Sequence, residues 1–354
     1  MNSDIFGFVS SFKLASRKLR VSDSDFVDVF NHYFLPLTFC LFSLAICAKQ
    51  YLIGDPLQCW VPKEYSDAWE QYAENYCWVE NTYFVRSNQT LKKDQSSEII
   101  YYQWVPFVLI LQGLMFYLPH YFWRLTNWMS GVDILHLMRL ALDASTSSTN
   151  ITKLVERFQD SFLESYGNKF VIKRKYFLCV CYIIMKILYL LNLILQFQII
   201  SSFLNLDFMT FGVRILNEFN NNIFWDKTGD FPRVTFCHFT IRTINENQNY
   251  TVQCVLVVNM LIEKLYITLW FILVFLLFLN LFNFANWMIW MVSKRKAVHD
   301  GVHTGIWDQM NSDSLFVLRL LKKNCLGLSY SSFITEFGKK TELYKDEMEL
   351  ECMI

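Results

Sequence analysis

Four long apolar blocks constrain this 354-residue chain more than any other feature: Tyr33–Ile53, Trp104–Trp123, Tyr176–Leu204 and Val255–Val292. Each reaches the ~20 residues needed to cross a bilayer core. Helices in a soluble core bury one stripe and run ~8–20 residues, whereas these blocks are apolar all round. They predict an all-α membrane protein with four spans. The segments 1–32, 54–103, 124–175, 205–254 and 293–354 lie outside them. No continuous apolar run precedes Tyr33, so the first span is expected to target the chain itself.

Four spans place both ends of the sequence on one side, and the basic residues choose the side. Segments 1–32, 124–175 and 293–354 hold 21 of the 32 Lys and Arg, against 8 in the two other loops. Lys173-Arg174-Lys175 and Lys294-Arg295-Lys296 abut span ends, where the positive-inside rule weighs most. Both termini and the middle loop are therefore expected to be cytoplasmic, at a plasma membrane, with segments 54–103 and 205–254 extracellular. The zero net charge hides this asymmetry. It also removes the basic footprint that nucleic-acid binding requires, so no nucleic-acid partner is expected.

Val255–Val292 is 38 residues long, roughly 57 Å as a helix, and exceeds the hydrocarbon thickness. Trp287 and Trp290 mark its inner interface, which puts Glu263 and Lys264 at or above the outer interface, as an interfacial charged pair or else as a buried functional pair. The third span carries Gln196, Gln198, Ser201 and Ser202 toward the outside. Lys186 is the cation inside the membrane; it either snorkels or faces other helices or water.

The outward loops hold Cys59 and Cys77, then Cys237 and Cys254, a disulfide pattern in an oxidising compartment. Four cysteines allow three pairings, and spacing does not choose among them. A four-thiolate zinc site lacks the short C-x₂₋₄-C spacing. Asn88 and Asn249 are accessible glycosylation acceptors, whereas Asn150 falls in the middle loop.

Recurring strings add a resemblance. The second span opens Tyr101-Tyr102-Gln103-Trp104-Val105-Pro106-Phe107. The first outer loop opens Ile53-Gly54-Asp55-Pro56-Leu57-Gln58-Cys59-Trp60, and the second holds Thr228-Gly229-Asp230-Phe231-Pro232-Arg233-Val234-Thr235-Phe236-Cys237. The fourth span holds Glu263-Lys264-Leu265-Tyr266-Ile267-Thr268-Leu269-Trp270-Phe271. Over roughly Ser22–Asn324 the chain resembles the innexins, the invertebrate gap-junction proteins. The resemblance implies a four-transmembrane-helix large-pore channel protomer, with small α/β extracellular loops and a helical cytoplasmic dome. It implies an octameric ring of identical or related subunits in membrane lipid. Two such hemichannels dock through their outer loops at cell junctions to pass ions and small metabolites. It also implies the pairings Cys59 with Cys254 and Cys77 with Cys237.

The resemblance places the N-terminal segment in the pore, lined by Met1, Asn2, Ser3, Asp4, Phe6, Lys13 and Arg17. Helical spacing of Ile5, Phe8, Val9, Phe12, Ala15 and Leu19 suits this, and equally suits a helix lying on the inner leaflet. Pro106 and Pro119 bend the second span, as gating hinges or as fixed kinks. Tyr101, Tyr102 and Trp104 read as an interfacial aromatic belt, with Gln103 among them. Helices are expected over Lys63–Tyr76, Asp133–Asp143, Ile151–Tyr166 and Ser314–Asn324, a strand over Phe231–Ile241, and a mobile charged tail over Lys339–Glu351.

No cofactor motif or catalytic constellation stands out, so an enzyme is not expected. Of the six histidines only His299 and His303 have i, i+4 spacing, and Gly301 weakens the helix a metal site there would need. The rivals to a docked junction are an undocked hemichannel, favoured if glycans at Asn88 and Asn249 stand on the docking surface, and a non-conducting adhesion or scaffold protein.

Overall fold

The computed structural model describes residues 23–84, 97–144, 148–162, 176–221, 230–242, 244, 246–292, 312–324 and 330–340. The elements run α1 (Phe26–Tyr51), β1 (Gln58–Trp60), α2 (Asp67–Glu80), β2 (Thr82–Phe84), β3 (Ser97–Ile99), α3 (Tyr101–Met129), α4 (Ile134–Ala144) and α5 (Ser148–Phe162). They continue with α6 (Phe177–Leu204), α7 (Phe208–Asn220), β4 (Val234–Arg242), β5 (Asn247–Val255), α8 (Val257–Val292), α9 (Ser312–Asn324) and α10 (330–340). Among the described residues, α1, α3, α6 and α8 are long and apolar enough to cross a membrane. The fold is thus the expected four-span, mostly helical one, with a small antiparallel sheet.

The first span begins seven residues before the apolar block. Asp28, Asn31 and His32 depress the hydropathy there, yet Asp28 and Asn31 are buried and bonded. A π-turn at Phe30–Phe34 interrupts α1. Such a turn loosens the backbone ladder. Two carbonyls just before it also accept side chains: Asn31 Nδ2 donates to the Val27 oxygen at 2.8 Å, and His32 Nδ1 to the Asp28 oxygen at 2.7 Å. The second span runs beyond both ends of its block, because Tyr101–Gln103 and Arg124–Met129 continue the helix.

Contacts divide the chain into two compact units. One draws on the described parts of Met1–His32, Tyr117–Tyr189 and Leu279–Ile354. Its core joins Trp123, Tyr182, Trp287 and Phe316 to the apolar faces of α4, α5, α9 and α10. Phe158 meets Phe333 and Phe337 across the α5–α10 contact. Asp313 of α9 accepts from the Leu178 and Cys179 N–H groups at 3.2 and 3.0 Å. A carboxylate thus caps the N-terminus of α6, where orphan donors and the helix dipole favour negative charge. Lys339 and Lys340, expected in the mobile tail, are helical residues of α10, and Lys340 pairs with Glu156 at 2.9 Å; residues 341–351 of that expected tail lie outside the described residues.

The other unit draws on Tyr33–Phe116 and Leu190–Phe278. Its sheet has the order β1-β5-β4-β2-β3, antiparallel throughout, so strands of both loops interleave. The strand expected over Phe231–Ile241 starts at Val234, and β5 and α7 are additions to the sequence reading. β5 begins Asn247-Gln248-Asn249, polar and exposed, and only its last half alternates, which is why periodicity missed it. The loop helix lies four residues later than expected, since Ser66 holds an extended backbone (φ −77°, ψ 158°) and α2 follows it.

Gly212 of α7 sits against Trp270 of α8. A Cβ there would run into the Trp270 ring at Cε3, so only glycine permits this approach. The Trp270 indole N–H donates to the Met209 carbonyl at 3.3 Å.

Candidate functional site

Three assemblies carry the residues that the sequence singles out. The first is the stapled sheet. Cys59 of β1 is bonded to Cys254 of β5, its register partner, and Cys77 of α2 to Cys237 of β4. The first bond stitches adjacent strands; the second ties a helix to the sheet. Both join segment 54–103 to segment 205–254, over sequence separations of 195 and 160. The Cys59, Cys77 and Cys254 sulfurs lie within 4.8 Å of one another, but as disulfides they offer no thiolate to a metal. Glu74 of α2 accepts from the Cys59 N–H at 3.0 Å, and desolvation pushes its carboxyl above the usual range against that bond. Trp69, Tyr72 and Tyr76 of α2 pack on Phe239, and Trp69 also meets Tyr250. Asn249 is exposed on β5 and accepts from Thr240 Oγ1 at 2.8 Å.

The second assembly is the Tyr101–Phe107 string, and it corrects the aromatic-belt reading. Trp104 and Phe107 stand out, 57% and 58% exposed, while Tyr101 is half-buried and Tyr102 fully buried. The end of α2 covers it: the Trp78 ring lies tilted against that of Tyr102, centroids 4.9 Å apart, and the Trp78 carbonyl accepts from Tyr102 Oη at 3.4 Å and from Gln103 Nε2. Tyr101 meets Phe203 and Phe231 edge-on. Pro106 lacks the N–H that would bond the Tyr102 carbonyl four residues back. Gln50 Nε2 takes that carbonyl at 2.6 Å, and Ser43 Oγ donates to the Pro106 carbonyl at 2.9 Å. At the α8 end of this unit Glu263 is buried and pairs with Arg233 at 3.0 Å, with the more exposed Lys264 at 3.8 Å.

The third assembly was absent from the sequence reading. Lys186 is 2% exposed and lies 2.6 Å from Asp28 Oδ1 and 3.6 Å from Asp25 Oδ2. It neither snorkels nor faces water. Tyr182 Oη donates to Asp28 Oδ2 at 2.7 Å, as does the Asp25 N–H at 3.1 Å. The Trp287 indole N–H donates to Asp25 Oδ2. With its amide oriented to suit both neighbours, Asn283 donates to Asp25 at 3.3 Å and accepts from Lys186 at 2.8 Å. Asn31 and Asn280 exchange amide bonds at 2.9 and 3.2 Å. His32 stacks on His120 with centroids 3.8 Å apart. A signal did exist: Asp-x-x-Asp ahead of an apolar run reads as a helix start, and a lone intramembrane lysine demands an acid.

Burial also raises the carboxyl of Asp23 above its ordinary value, opposed by its own backbone N–H and by the charges of Arg124 and His32. Met1, Asn2, Ser3, Asp4, Phe6, Lys13, Arg17, Asn88, His299 and His303 lie outside the described residues.

Comparison with known proteins extends the geometry. The family model described as Innexin matches residues 24–341. Innexin unc-9 of Caenorhabditis elegans is 36% identical over 273 residues, covering 70% of each chain. Innexin eat-5 of the same organism is 35% identical over 270 residues, covering 70% of this chain and 64% of its own. Innexin-16, also from that organism, is 32% identical over 272 residues, with 74% and 71% covered.

Proposed function

The chain belongs to the innexin family, and from that premise we propose that it is the pore-forming subunit of a gap junction. Protomers ring a wide pore, eight by resemblance, and two rings dock end to end across the intercellular gap to pass ions and small metabolites. The stapled sheet is the observation that carries this reading. Docking needs a rim that keeps its shape while the helices beneath it move. Two disulfides that weld both loop segments into one sheet supply such a rim.

In this reading the sheet is extracellular and both termini are cytoplasmic, at the plasma membrane of contacting cells. Residues 1–20 enter the pore, so Met1, Asn2, Ser3, Asp4, Phe6, Lys13 and Arg17 line it. Symmetry repeats each side chain around the ring, and one Asp4 or Lys13 becomes a belt of charge that biases ion selectivity. Lipid fills the outer surface of the spans.

Expression of this chain alone in paired cells tests the proposal. Junctional conductance and dye transfer are expected, and an axial view of the purified particle is expected to show eight subunits. A well-formed oligomer that conducts under no voltage or calcium condition would exclude the pore while leaving the fold intact. Glycans at Asn88 and Asn249 would stand on the docking face, so a fully glycosylated chain is expected to remain as single hemichannels. Efficient transfer by such protein would refute that steric argument.

A further inference from the structure

The ionic seat of Asp25 and Asp28 contains one more carboxylate than cation if Lys186 is counted alone. A second cation comes from α9. The Arg319 Cζ lies 4.3 Å from the Trp287 ring centroid and 4.6 Å from that of Trp290. Trp287 therefore holds a guanidinium over its face while its N–H donates to Asp25. The two contacts reinforce each other, because a cation over the ring polarises the N–H toward the carboxylate. Asp25 in turn raises the pKa of Arg319 against the lowering by burial. The rest of α9 is fastened to the same place: Phe316 touches Trp123, Tyr182 and Trp287, and Asp313 caps α6.

We propose that α9 controls how the root of the N-terminal segment is held. Arg319, acting through Trp287, supplies the second positive charge that balances Asp25 and Asp28 against Lys186. Docking of α9 and seating of residues 23–28 are then one coupled equilibrium, and coupling of this kind is reciprocal. Release of α9 leaves an uncompensated buried carboxylate and loosens the attachment of residues 1–22. Arg319 is a positioning residue for the pore-lining segment. This role rests on the reading that the segment enters the pore.

Two measurements on the full-length oligomer separate the claims. The first is hydrogen exchange over residues 23–34 and over α4 and α5. Arg319→Gln is expected to lower protection of 23–34 roughly tenfold, as loss of a half-buried cation–π contact implies, with α4 and α5 unchanged. Arg319→Lys is expected to retain most of it. The double variant Asp25→Asn/Arg319→Gln is expected to recover it, since one negative charge leaves with the positive one. Unchanged protection, loss that spreads equally through α4 and α5, or failure of the double variant to recover would overturn the proposal. The second measurement is block of hemichannel current by a cationic thiol reagent at Asp4→Cys, with the channel lacking that substitution as control. Block that quickens in Arg319→Gln and returns to its original rate in the double variant supports the coupling, and an unchanged rate opposes it. If no background is blocked, the pore-lining reading fails, and the exchange result still decides the coupling.

Discussion

Gln50 Nε2 donates to the Tyr102 carbonyl at 2.6 Å, the carbonyl that Pro106 leaves without its helical partner. A proline in a membrane helix frees a backbone carbonyl, and a neighbouring helix can supply the missing donor. Gln50→Met is expected to destabilise the protein by about 1–3 kcal/mol, because it leaves that buried carbonyl unmet. Pro106→Ala restores a backbone donor. The two substitutions together are expected to cost less than their sum, read as denaturation midpoints in a double-mutant cycle. Strict additivity would show that Gln50 does not serve the carbonyl that Pro106 frees.

Lys186→Met leaves Asp25 and Asp28 facing each other without their nearest cation. Removal of one partner from a buried pair typically costs about 3–5 kcal/mol. Lys186→Met/Asp28→Asn is expected to regain most of this, since no second charge is then stranded. The thermal midpoint of the detergent-solubilised oligomer reads both variants. A single variant as stable as the parent would place the ammonium in water.

Gly212→Ala drives a methyl into Trp270, with nothing but the ring to give way. Overpacking of this kind costs about 1–3 kcal/mol. Trp270→Leu in the same chain is expected to relieve the clash, so the double variant should assemble better than Gly212→Ala alone. Size-exclusion profiles report this directly.

Asp23 gives a pH signature. Its folded-state pKa lies above the ordinary 3.8, so between the two values the folded chain binds more protons than the unfolded one. Stability contributed by the protonated carboxyl is present below 3.8 and is lost as pH rises through the folded value. Asp23→Asn is therefore expected to raise the melting temperature at neutral pH. The gain should shrink as pH falls and vanish near the ordinary carboxylate range. A gain independent of pH would assign the effect to packing instead.

Much of the fold was legible because hydrophobicity is a local property. The apolar blocks from Trp104, Tyr176 and Val255 each seed α3, α6 and α8. The α1 boundary was not legible, since Asp28 and Asn31 read as polar loop until their partners Lys186 and Asn280 are known. Tyr102 reads as an interface residue until Trp78 is seen to cover it. β5 was hidden because its polar first half owes its strand to β4, not to alternation. Pairing of the cysteines was open on spacing, and the register Cys59 opposite Cys254 is a property of the sheet.

By itself, the sequence determined that the chain has four segments fit to cross a membrane and concentrates four cysteines in segments 54–103 and 205–254. Transfer of apolar side chains from water and the redox chemistry of cysteine are set residue by residue. The tertiary structure alone decided where Lys186 finds its counter-charges, which group takes the Tyr102 carbonyl, and that α9 and the N-terminal root share Trp287. These are pairings between residues tens to hundreds of positions apart. Burial makes an unpaired polar group costly, so the fold must supply a partner, and only the three-dimensional path of the chain says which one.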